Sequence, residues 1–465
     1  MNELRVWNGV KDFSEGYIDA IADHLLPDTA TPDCQNVLAP ATGILRKRAG
    51  QQRYGSTFGD HAVRGMHAYY YGANRRLVVA SGDRVLHKDP MTGNYLSIRT
   101  GLSTTALTCF TTTVHFLVAF NGVNPPWKWD GTTATLLANA PVDGQFAVLY
   151  KEKLFTVPLS TPSTLRWADS FQPELWPLVN FWDVGLGDGD AITNVIEHQG
   201  DLIILKHRSI HTLSGTGLSD FRMRNVHSSL GCVGPFAAVV AEPDLYFVSN
   251  DGLCVWNGMS VVNLSTQKIP ALWSRINRAH IHKAVVGVWD DYVWFALPEG
   301  ISTYNNLVVA CKIHGKDVKF WPWRGINASC MQRFDDGNGL QFYTGDAISG
   351  WINRQYLGSE DFGQPVNAYW RGKAYAMDQP EYKKKFKEMR IIDSPNAPDV
   401  VLDASIDYAP HQFLRPISGD TLVRRFLFPQ GTYGRYVSPR IVHSVPGNME
   451  VRGLTVLYQQ KMRMN

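Results

Sequence analysis

Apolar strand-like segments separated by short polar turns recur along the first three quarters of the chain. A typical unit is RRLVVASGDRVLHKD (75–89), in which two apolar segments flank a turn that contains glycine. Alternation over about 4–8 residues between turn formers predicts β-strands. One apolar anchor residue stands in each unit, and successive anchors are 38 to 49 residues apart. The anchors are Leu77, Leu117, Phe155, Ile203, Tyr246, Val293 and Phe342.

A repeat of about 40–50 residues with several strands per unit predicts a β-propeller. A single four-stranded blade cannot bury both of its faces, whereas blades in a ring bury one another. Trp-Asn-Gly or Trp-Asp-Gly recurs at Trp7, Trp129 and Trp256, and Asn-Gly and Asp-Gly favour tight hairpin turns. We therefore expect an all-β fold with a six- or seven-bladed β-propeller over residues 60–357, and tryptophans packed between blades.

The segments on either side of the repeats have other patterns. Residues 1–59 are expected to form an N-terminal arm, with helical spacing of apolar positions over Gly16–Leu26 and a basic turn at 46–53. A second short helix is expected near Ala271. After a linker at 358–365, polar and apolar residues alternate again, which predicts a C-terminal β-sandwich or jelly-roll-like domain over residues 366–465.

Charge is nearly balanced over the whole chain but unevenly distributed. The net charge is +3, so no overall field draws the protein to nucleic acid. Residues 366–465 hold 15 Lys+Arg against 9 Asp+Glu, while the first 365 residues hold 30 against 33. The basic character therefore belongs to the C-terminal part.

Cysteine usage and the N-terminal sequence bear on the compartment. The six cysteines have no CxxC spacing, so buried free thiols are favoured over disulfides or a zinc site. The chain begins MNELRVWNGVKDF, without a signal-peptide pattern, and it has no apolar run of the roughly 18 residues that a membrane span needs. We expect synthesis in a cytosol-like compartment and no membrane-spanning segment.

The most ligand-like stretch is GLGDGDAITNVI (185–196). Its glycines miss the GxGxxG spacing by one residue, and a β-branched segment rather than a helix follows, so no helix N-terminus faces a phosphate. Asp188 and Asp190 alone are too few for a calcium loop. A turn capped by its own aspartates is favoured, with a weak cation site as the alternative.

Other candidate chemistry is sparse. His207 and His211 flank a three-residue segment, and His280 and His282, two apart, would share one face of a strand and so could bind a metal. No third metal ligand is identifiable, so surface or core histidines are favoured. No nucleophile–base set or converging carboxylate pair can be assigned. We predict no enzyme activity, no catalytic residues, no cofactor and no metal.

Basic clusters are the more suggestive feature. Alternation in YKKKFKEMR (382–390) places three lysines on one strand face, with Lys384, Phe386 and Glu388 opposite. Clusters of this kind neutralise phosphates without reading bases, although a solvated strand face or an acidic protein partner explains them too. The candidate DNA- or subunit-facing residues are Arg46, Lys47, Arg48, Arg53, Lys383, Lys385, Lys387, Arg424 and Arg425.

Three segments in this order resemble the tail hub, or nozzle, proteins of short-tailed bacteriophages, also called packaged-DNA stabilisation proteins. They are LPDTATPDCQNVLAPATGILRKRAGQQRYG (26–55), LRWADSFQPELWP (165–177) and GDGDAITNVIEHQGDLIILKHRSIHTLSGTG (187–217). The resemblance extends over most of the chain up to about Gly350. PEYKKKFKEMRIID followed by VVLDASIDY also resembles a β-sandwich module of virion proteins.

This resemblance implies a structural virion protein, made in the host cytoplasm and assembled into the phage tail. It implies a homo-oligomer, a hexameric ring below the portal-adaptor complex, that extends the DNA channel and helps retain packaged DNA. The implied partners are the portal-adaptor ring, tail fibres or spikes, a tail needle or plug, and double-stranded DNA bound non-specifically. It carries over no catalytic residue.

Two other classes of function stay open from the residues. A propeller glycan hydrolase or depolymerase of a phage tail would need two carboxylates converging at one end of the funnel. A non-viral propeller could instead be a protein-binding scaffold. Activity on host polysaccharide would favour the first, and a gene far from portal and terminase genes would favour the second.

Overall fold

Strands dominate the structure, a computed structural model that describes residues 4–40, 42–72, 74–89, 91–114, 116–314, 317–377, 380–393, 400–417 and 422–460. The predicted all-β class is confirmed. Helical structure in these ranges is limited to one α-helix, Pro270–Ser274, and two 3-10 helices, Asp23–Leu25 and Arg278–Lys283. The helix expected near Ala271 is therefore present. None of the described helices is long and apolar enough to cross a membrane.

Six consecutive antiparallel sheets have four strands each, in chain order across the sheet. Sheet 1 contains Val63–Tyr71, Asn74–Ser81, Arg84–Lys88 and Tyr95–Arg99; sheet 2 contains Cys109–Thr112, Leu117–Phe120, Trp127–Trp129 and Ala134–Leu136. Sheet 3 contains Val148–Tyr150, Lys153–Thr156, Thr164–Trp167 and Phe181–Asp183; sheet 4 contains Ile192–His198, Asp201–Lys206, Ile210–Ser214 and Arg222–His227. Sheet 5 contains Ala238–Ala241, Asp244–Val248, Leu253–Trp256 and Val261–Asn263; sheet 6 contains Val285–Trp289, Tyr292–Leu297, Leu307–His314 and Asp317–Arg324.

Sheet 7 takes its fourth strand from the N-terminal part of the chain. Its own strands are Ala328–Asp335, Leu340–Asp346 and Ile352–Gln355, and Gln51–Arg53 pairs antiparallel with the last of them. The segment expected to be a linker continues this sheet as the short strands Glu360–Asp361 and Gln364–Pro365. The basic turn expected at 46–53 is therefore wrong, because the chain passes there from one sheet to another.

Apolar side chains join each sheet to the next. One core cluster joins sheets 1 and 2 through Tyr69 and Trp129, another joins sheets 2 and 3, and a third joins sheets 3 and 4. The largest cluster is continuous from sheet 4 to sheet 7. A further cluster packs Leu77 of sheet 1 against Tyr343 and Ile352 of sheet 7. The packing thus returns from the seventh sheet to the first.

The seven anchor residues identified in the repeats each lie in the second strand of a different sheet, and each is at most 3% exposed. Second strands have neighbours on both edges and sheets on both faces, which explains why their pattern is continuously apolar. Trp129 contacts Tyr69 of the preceding sheet at 5.2 Å between ring centroids, and Trp256 contacts His198 at 5.8 Å. The expected tryptophan packing between sheets is confirmed at these two positions, whereas Trp7 lies elsewhere.

Two further sheets combine both ends of the chain. Sheet 8 contains Leu4–Val10, Val37–Leu38, Leu45–Lys47, Lys384–Asp393, Arg415–Ile417, Val423–Leu427, Tyr433–Gly434 and Glu450–Gln460. Sheet 9 contains Asp33–Gln35, Ala368–Arg371, Val401–Ile406, Gln412–Phe413 and Val437–His443. Their buried side chains belong to the large cluster shared with sheets 4 to 7. The boundaries 1–59, 60–357 and 366–465 stay predictions. The N-terminal residues contribute strands to sheets 7, 8 and 9.

The helix expected over Gly16–Leu26 is wrong. Gly16–Tyr17 pairs in parallel with Ala30–Thr31, and only Asp23–Leu25 makes a 3-10 turn. Gly16 has φ +76°, and a Cβ there would lie 2.9 Å from a backbone oxygen of sheet 6. The Asp19 carboxylate accepts the first two free N–H groups of the helix Pro270–Ser274 at 2.9 and 2.7 Å. Contacts with distant segments therefore override the local periodicity.

Deleting residues 1–53 is expected to lower the thermal unfolding midpoint by roughly 10 °C or more, because it removes strands from sheets 7, 8 and 9. Circular dichroism during heating would measure this. The control is the full-length protein with a protease site inserted after the exposed Asp60. After cleavage at this site, residues 1–53 are still present and can stay bound to the rest of the chain. Equal midpoints for the deleted and the cut chains would contradict an integrated N-terminal segment.

Candidate functional site

Arg48 is a buried structural cation. Its side chain is 2% exposed, and the carboxylate of Asp361 accepts from it at 3.0 and 2.5 Å. All five guanidinium N–H groups find acceptors: Asn36 Oδ1, the carbonyl oxygens of Ala49 and Arg324, and both oxygens of Asp361. With its donors used inside the chain, Arg48 is not available to bind a phosphate.

The other residues of this cluster lie in different surroundings. Arg46 forms a surface ion pair with Glu450 at 2.9 Å. Lys47 donates to the Val445 carbonyl at 3.1 Å, and burial, followed by the neighbouring Arg48 charge, lowers the pKa of its ammonium to about 8. Arg46 and Lys47 line a surface groove of about 440 Å³ between the ends of the chain.

Arg53 is held within sheet 7, where its strand lies between Ile352–Gln355 and Glu360–Asp361. Its Nη1 donates to Asn353 Oδ1 at 2.9 Å and lies 3.2 Å from Asp346 Oδ2. The guanidinium also stacks over the Phe362 ring at 4.0 Å and the Trp351 ring at 4.9 Å. The four residues Arg46 to Arg53 therefore do not form one basic surface.

Lys383, which precedes the strand Lys384–Asp393, and Lys385 and Lys387 within it lie on one side of the strand, as the sequence predicts. Lys383 is exposed and Lys385 and Lys387 are half-buried, while Lys384, Phe386 and Glu388 are buried. Lys385 lies over the Tyr433 ring at 5.6 Å. None of the three lysines has an ion pair with a described carboxylate. This lysine row is the part of the predicted site that keeps its charge available.

Glu388 and Asp393 neutralise the third predicted cluster. Arg425 donates to both Glu388 oxygens at 2.7 Å, and Arg390 donates to the same carboxylate at 2.6 Å, so the pKa of Glu388 is lowered. Arg424 Nε lies 2.6 Å from Asp393 Oδ2. Burial raises the pKa of the Asp393 carboxyl group. These arginines hold strand Val423–Leu427 against Lys384–Asp393.

Sheet 8 thus brings together residues that the sequence predicted separately. Arg46, Lys47, the lysine row and the Arg424–Arg425 pair all belong to it, whereas Arg48 and Arg53 serve the junction with sheet 7. Sequence reasoning missed the acidic partners. Glu388 pairs with Leu427 and Arg390 with Arg425, and strand alternation does not indicate which strand will pair with which.

The loop 185–196 is a turn closed by an internal ion pair. Gly185, Gly187 and Gly189 all have positive φ, and the Asp188 carboxylate accepts the Asp190 N–H at 2.9 Å. Lys206, whose side chain is fully buried, donates to both Asp188 oxygens at 2.8 and 2.7 Å. The expected turn with self-capping aspartates is confirmed. The Asp188 carboxylate, which was considered as a cation ligand, is already paired with the Lys206 ammonium.

The shared strand face considered for His280 and His282 is absent. His280 and His282 lie in the 3-10 helix Arg278–Lys283 with ring centroids 6.2 Å apart, and His207 lies in a turn while His211 lies in a strand. No group of three or more His, Cys, Asp and Glu side chains could hold a metal ion in the part of the chain that the structure describes. All six cysteines are free, as expected.

Residues of the first strands of all seven sheets line one cavity of about 270 Å³. Its lining residues include the apolar Met66, Val195 and Met331 and the polar His67, Asn194 and Gln332. His67 Nε2 lies 2.8 Å from Thr112 Oγ1, and burial lowers the pKa of His67 to about 4, so this imidazole is neutral. The cavity wall therefore carries little charge.

Two larger cavities lie where the first strands begin. One, of about 520 Å³, is lined by the start of sheets 1 and 7 and by loops of sheet 6, and the other, of about 370 Å³, by loops of sheets 2 to 5. Leu107 and His282 line both. No described residue that lines either cavity has a carboxylate group, and Arg64 and Lys283 line the larger one.

No protein-family model and no curated protein sequence matches the chain. Among solved structures, the chain is similar to the crystal structure of the computationally designed Ika8 protein, with a TM-score of 0.38 and 12% identity. The match covers 66% of this chain and 100% of the designed chain. At that TM-score the similarity carries no argument about fold or function.

Replacing Arg48 by Met is expected to destabilise the protein by about 3–5 kcal/mol, because the Asp361 carboxylate would stay largely buried without its cation. The shift in urea unfolding midpoint measures this. Arg75→Met is the matched control, since Arg75 and Asp335 form an exposed ion pair at 2.7 Å and water screens such pairs. A comparable shift in both variants would contradict a structural role specific to Arg48.

Proposed function

We propose that residues from about 51 to 357 form a seven-bladed β-propeller and that sheets 8 and 9 form a β-sandwich attached to it. Three observations support this: seven consecutive small antiparallel sheets, core clusters that lead from each sheet to the next and from the seventh to the first, and one cavity lined by residues of every first strand. The strand Gln51–Arg53 would close the last blade and join the chain ends there.

We propose further that the protein is a structural component of a short-tailed phage virion, a tail hub or nozzle. The main support for this proposal is that seven blade-like sheets share a core with a two-sheet unit, and that both chain ends contribute strands to this unit. That architecture matches what the resemblance of 26–55, 165–177 and 187–217 implies. Six copies would form a ring that extends the DNA channel below the portal-adaptor complex and anchors fibres or spikes.

The charge distribution suits a ring through which DNA must slide. Each strong phosphate contact adds salt-sensitive affinity, so a channel wall should hold few unpaired cations. Most of the predicted basic residues are neutralised inside the chain, as the Arg48–Asp361 and Arg425–Glu388 pairs illustrate. Lys47 is buried and donates to a backbone carbonyl, whereas Lys383, Lys385 and Lys387 lie at the surface without an ion pair to a described carboxylate. We propose that this row faces an acidic subunit surface or the DNA backbone.

A hexameric ring is the expected assembly of the purified protein, alone or with its portal-adaptor ring supplied. Light scattering would give the mass of the assembly, and negative-stain imaging would show its symmetry. A protein that stays monomeric with the adaptor ring present would contradict the tail-hub proposal. Clear turnover of host polysaccharide would instead support the glycan hydrolase.

Reversing the charge of the lysine row separates its two roles. Lys383→Glu, Lys385→Glu and Lys387→Glu together should weaken ring assembly if the row meets an acidic neighbour. If particles assemble but lose packaged DNA, the row faces the DNA. The matched control reverses three exposed arginines on sheets 1 and 4, Arg84, Arg222 and Arg224. Normal assembly and DNA retention in the lysine variant would show that the row is only a solvated face.

A further inference from the structure

The cavity of about 520 Å³ at the start of the first strands has an unusual lining. Its charged side chains are Arg64, at the start of sheet 1, and Lys283, at the end of the helix Arg278–Lys283. Hydroxyl groups of Thr105, Tyr304 and Ser329 also line it, and no carboxylate does. A cavity with two cations and no acidic group has a positive potential that favours an anion.

Arg64 is half-buried, and it lacks the internal acceptors that the buried Arg48 has. Its Nη1 atom is out of contact with solvent and has no hydrogen-bond partner within the described ranges. Burial lowers the pKa of this guanidinium, and no nearby carboxylate offsets that effect. Arg48, in contrast, has an acceptor for every N–H group. A buried guanidinium donor without an acceptor costs free energy, which an oxyanion would recover.

Lys283 has donor capacity left for a ligand. Its ammonium donates to the Thr303 carbonyl at 2.7 Å, which uses one of three N–H groups. The residue is exposed and lines the cavity, so a ligand can reach its side chain. Arg64 supplies a planar fork and Lys283 a point charge, and together they suit a carboxylate or a phosphate.

Asn305 would require a hydrogen-bond donor on the ligand. Its amide nitrogen donates to the Lys283 and Ala328 carbonyls, both at 2.7 Å, which fixes the side-chain orientation. The opposite atom, Oδ1, is buried and has no partner among the described residues. Because Oδ1 can only accept, a ligand that satisfied it would need a hydroxyl or N–H group beside its anionic group.

The remaining lining consists of apolar side chains, including Val63, Leu107 and Phe236. Ligand sites commonly combine such walls with a few convergent polar groups. We propose that this cavity binds a hydroxylated organic oxyanion of monosaccharide size, held by Arg64 and Lys283 at its anionic group and by Asn305 at a hydroxyl. The anionic group is a carboxylate, as in a sugar acid, or a phosphate, as in a sugar phosphate. The proposal does not rest on the tail-hub function.

Isothermal titration calorimetry on the full-length protein tests this with three probes: glucuronate, glucose 6-phosphate and glucose. Saturable binding of glucuronate or glucose 6-phosphate at millimolar concentration, with glucose much weaker, is expected. The stronger of the two identifies the anionic group. Equal binding of glucose, or no binding of any probe by the wild-type protein, would overturn the proposal.

Two variants locate the site. Arg64→Met and Lys283→Met should each weaken binding of the anionic probe by at least about tenfold, since hydrogen bonds to charged groups contribute that much. Lys283 is exposed, so its variant keeps the proposal testable even if Arg64→Met does not fold. Arg222→Met, an exposed arginine on the outer strand of sheet 4, is the control and should bind like the wild type. Unchanged affinity in Lys283→Met would overturn the assignment to this cavity.

Discussion

The structure depends on the need of every blade-like sheet to be covered on both faces. Sheets 1 to 7 are small, apolar on each side and unable to form separate cores. Covering the first and the last of them requires that they meet, and the cluster containing Val63, Leu77, Tyr343 and Ile352 is that contact. If this cluster opened, two apolar sheet faces would become exposed at once, so the packing of the seven sheets is interdependent.

This constraint explains why both ends of the chain are built into the same region. Gln51–Arg53 supplies the fourth strand of sheet 7, and the residues before it enter sheets 8 and 9. Arg48 lies at this crossing, where it joins the N-terminal segment to Arg324 of sheet 6 and to Asp361. A buried guanidinium with every donor satisfied orders three segments through one side chain, at a position where apolar packing alone would not specify their register.

The distribution of charge follows the same logic. Arginines near junctions are paired with buried carboxylates, as Arg425 is with Glu388, and they act in folding rather than in binding. The lysine row on sheet 8 and the cavity lined by Arg64 and Lys283 are two places where positive charge is not paired with a described carboxylate. Function in this protein is therefore better sought where cations lack partners than where the sequence is richest in them.

The sequence by itself determined the all-β class, the seven repeats and the second-strand position of each anchor, because strand periodicity and turn residues act over about ten neighbouring residues. The alternation around Lys383, Lys385 and Lys387 and the turn at Gly185 to Asp190 could be predicted for the same reason. Only the tertiary structure decided the strand role of 51–53, the non-helical course of 16–26 and the partners of Arg48 and Arg425. Those outcomes join residues that are 37 positions apart for Arg425 and Glu388 and 313 positions apart for Arg48 and Asp361, and no local pattern records which distant carboxylate or carbonyl group will be there.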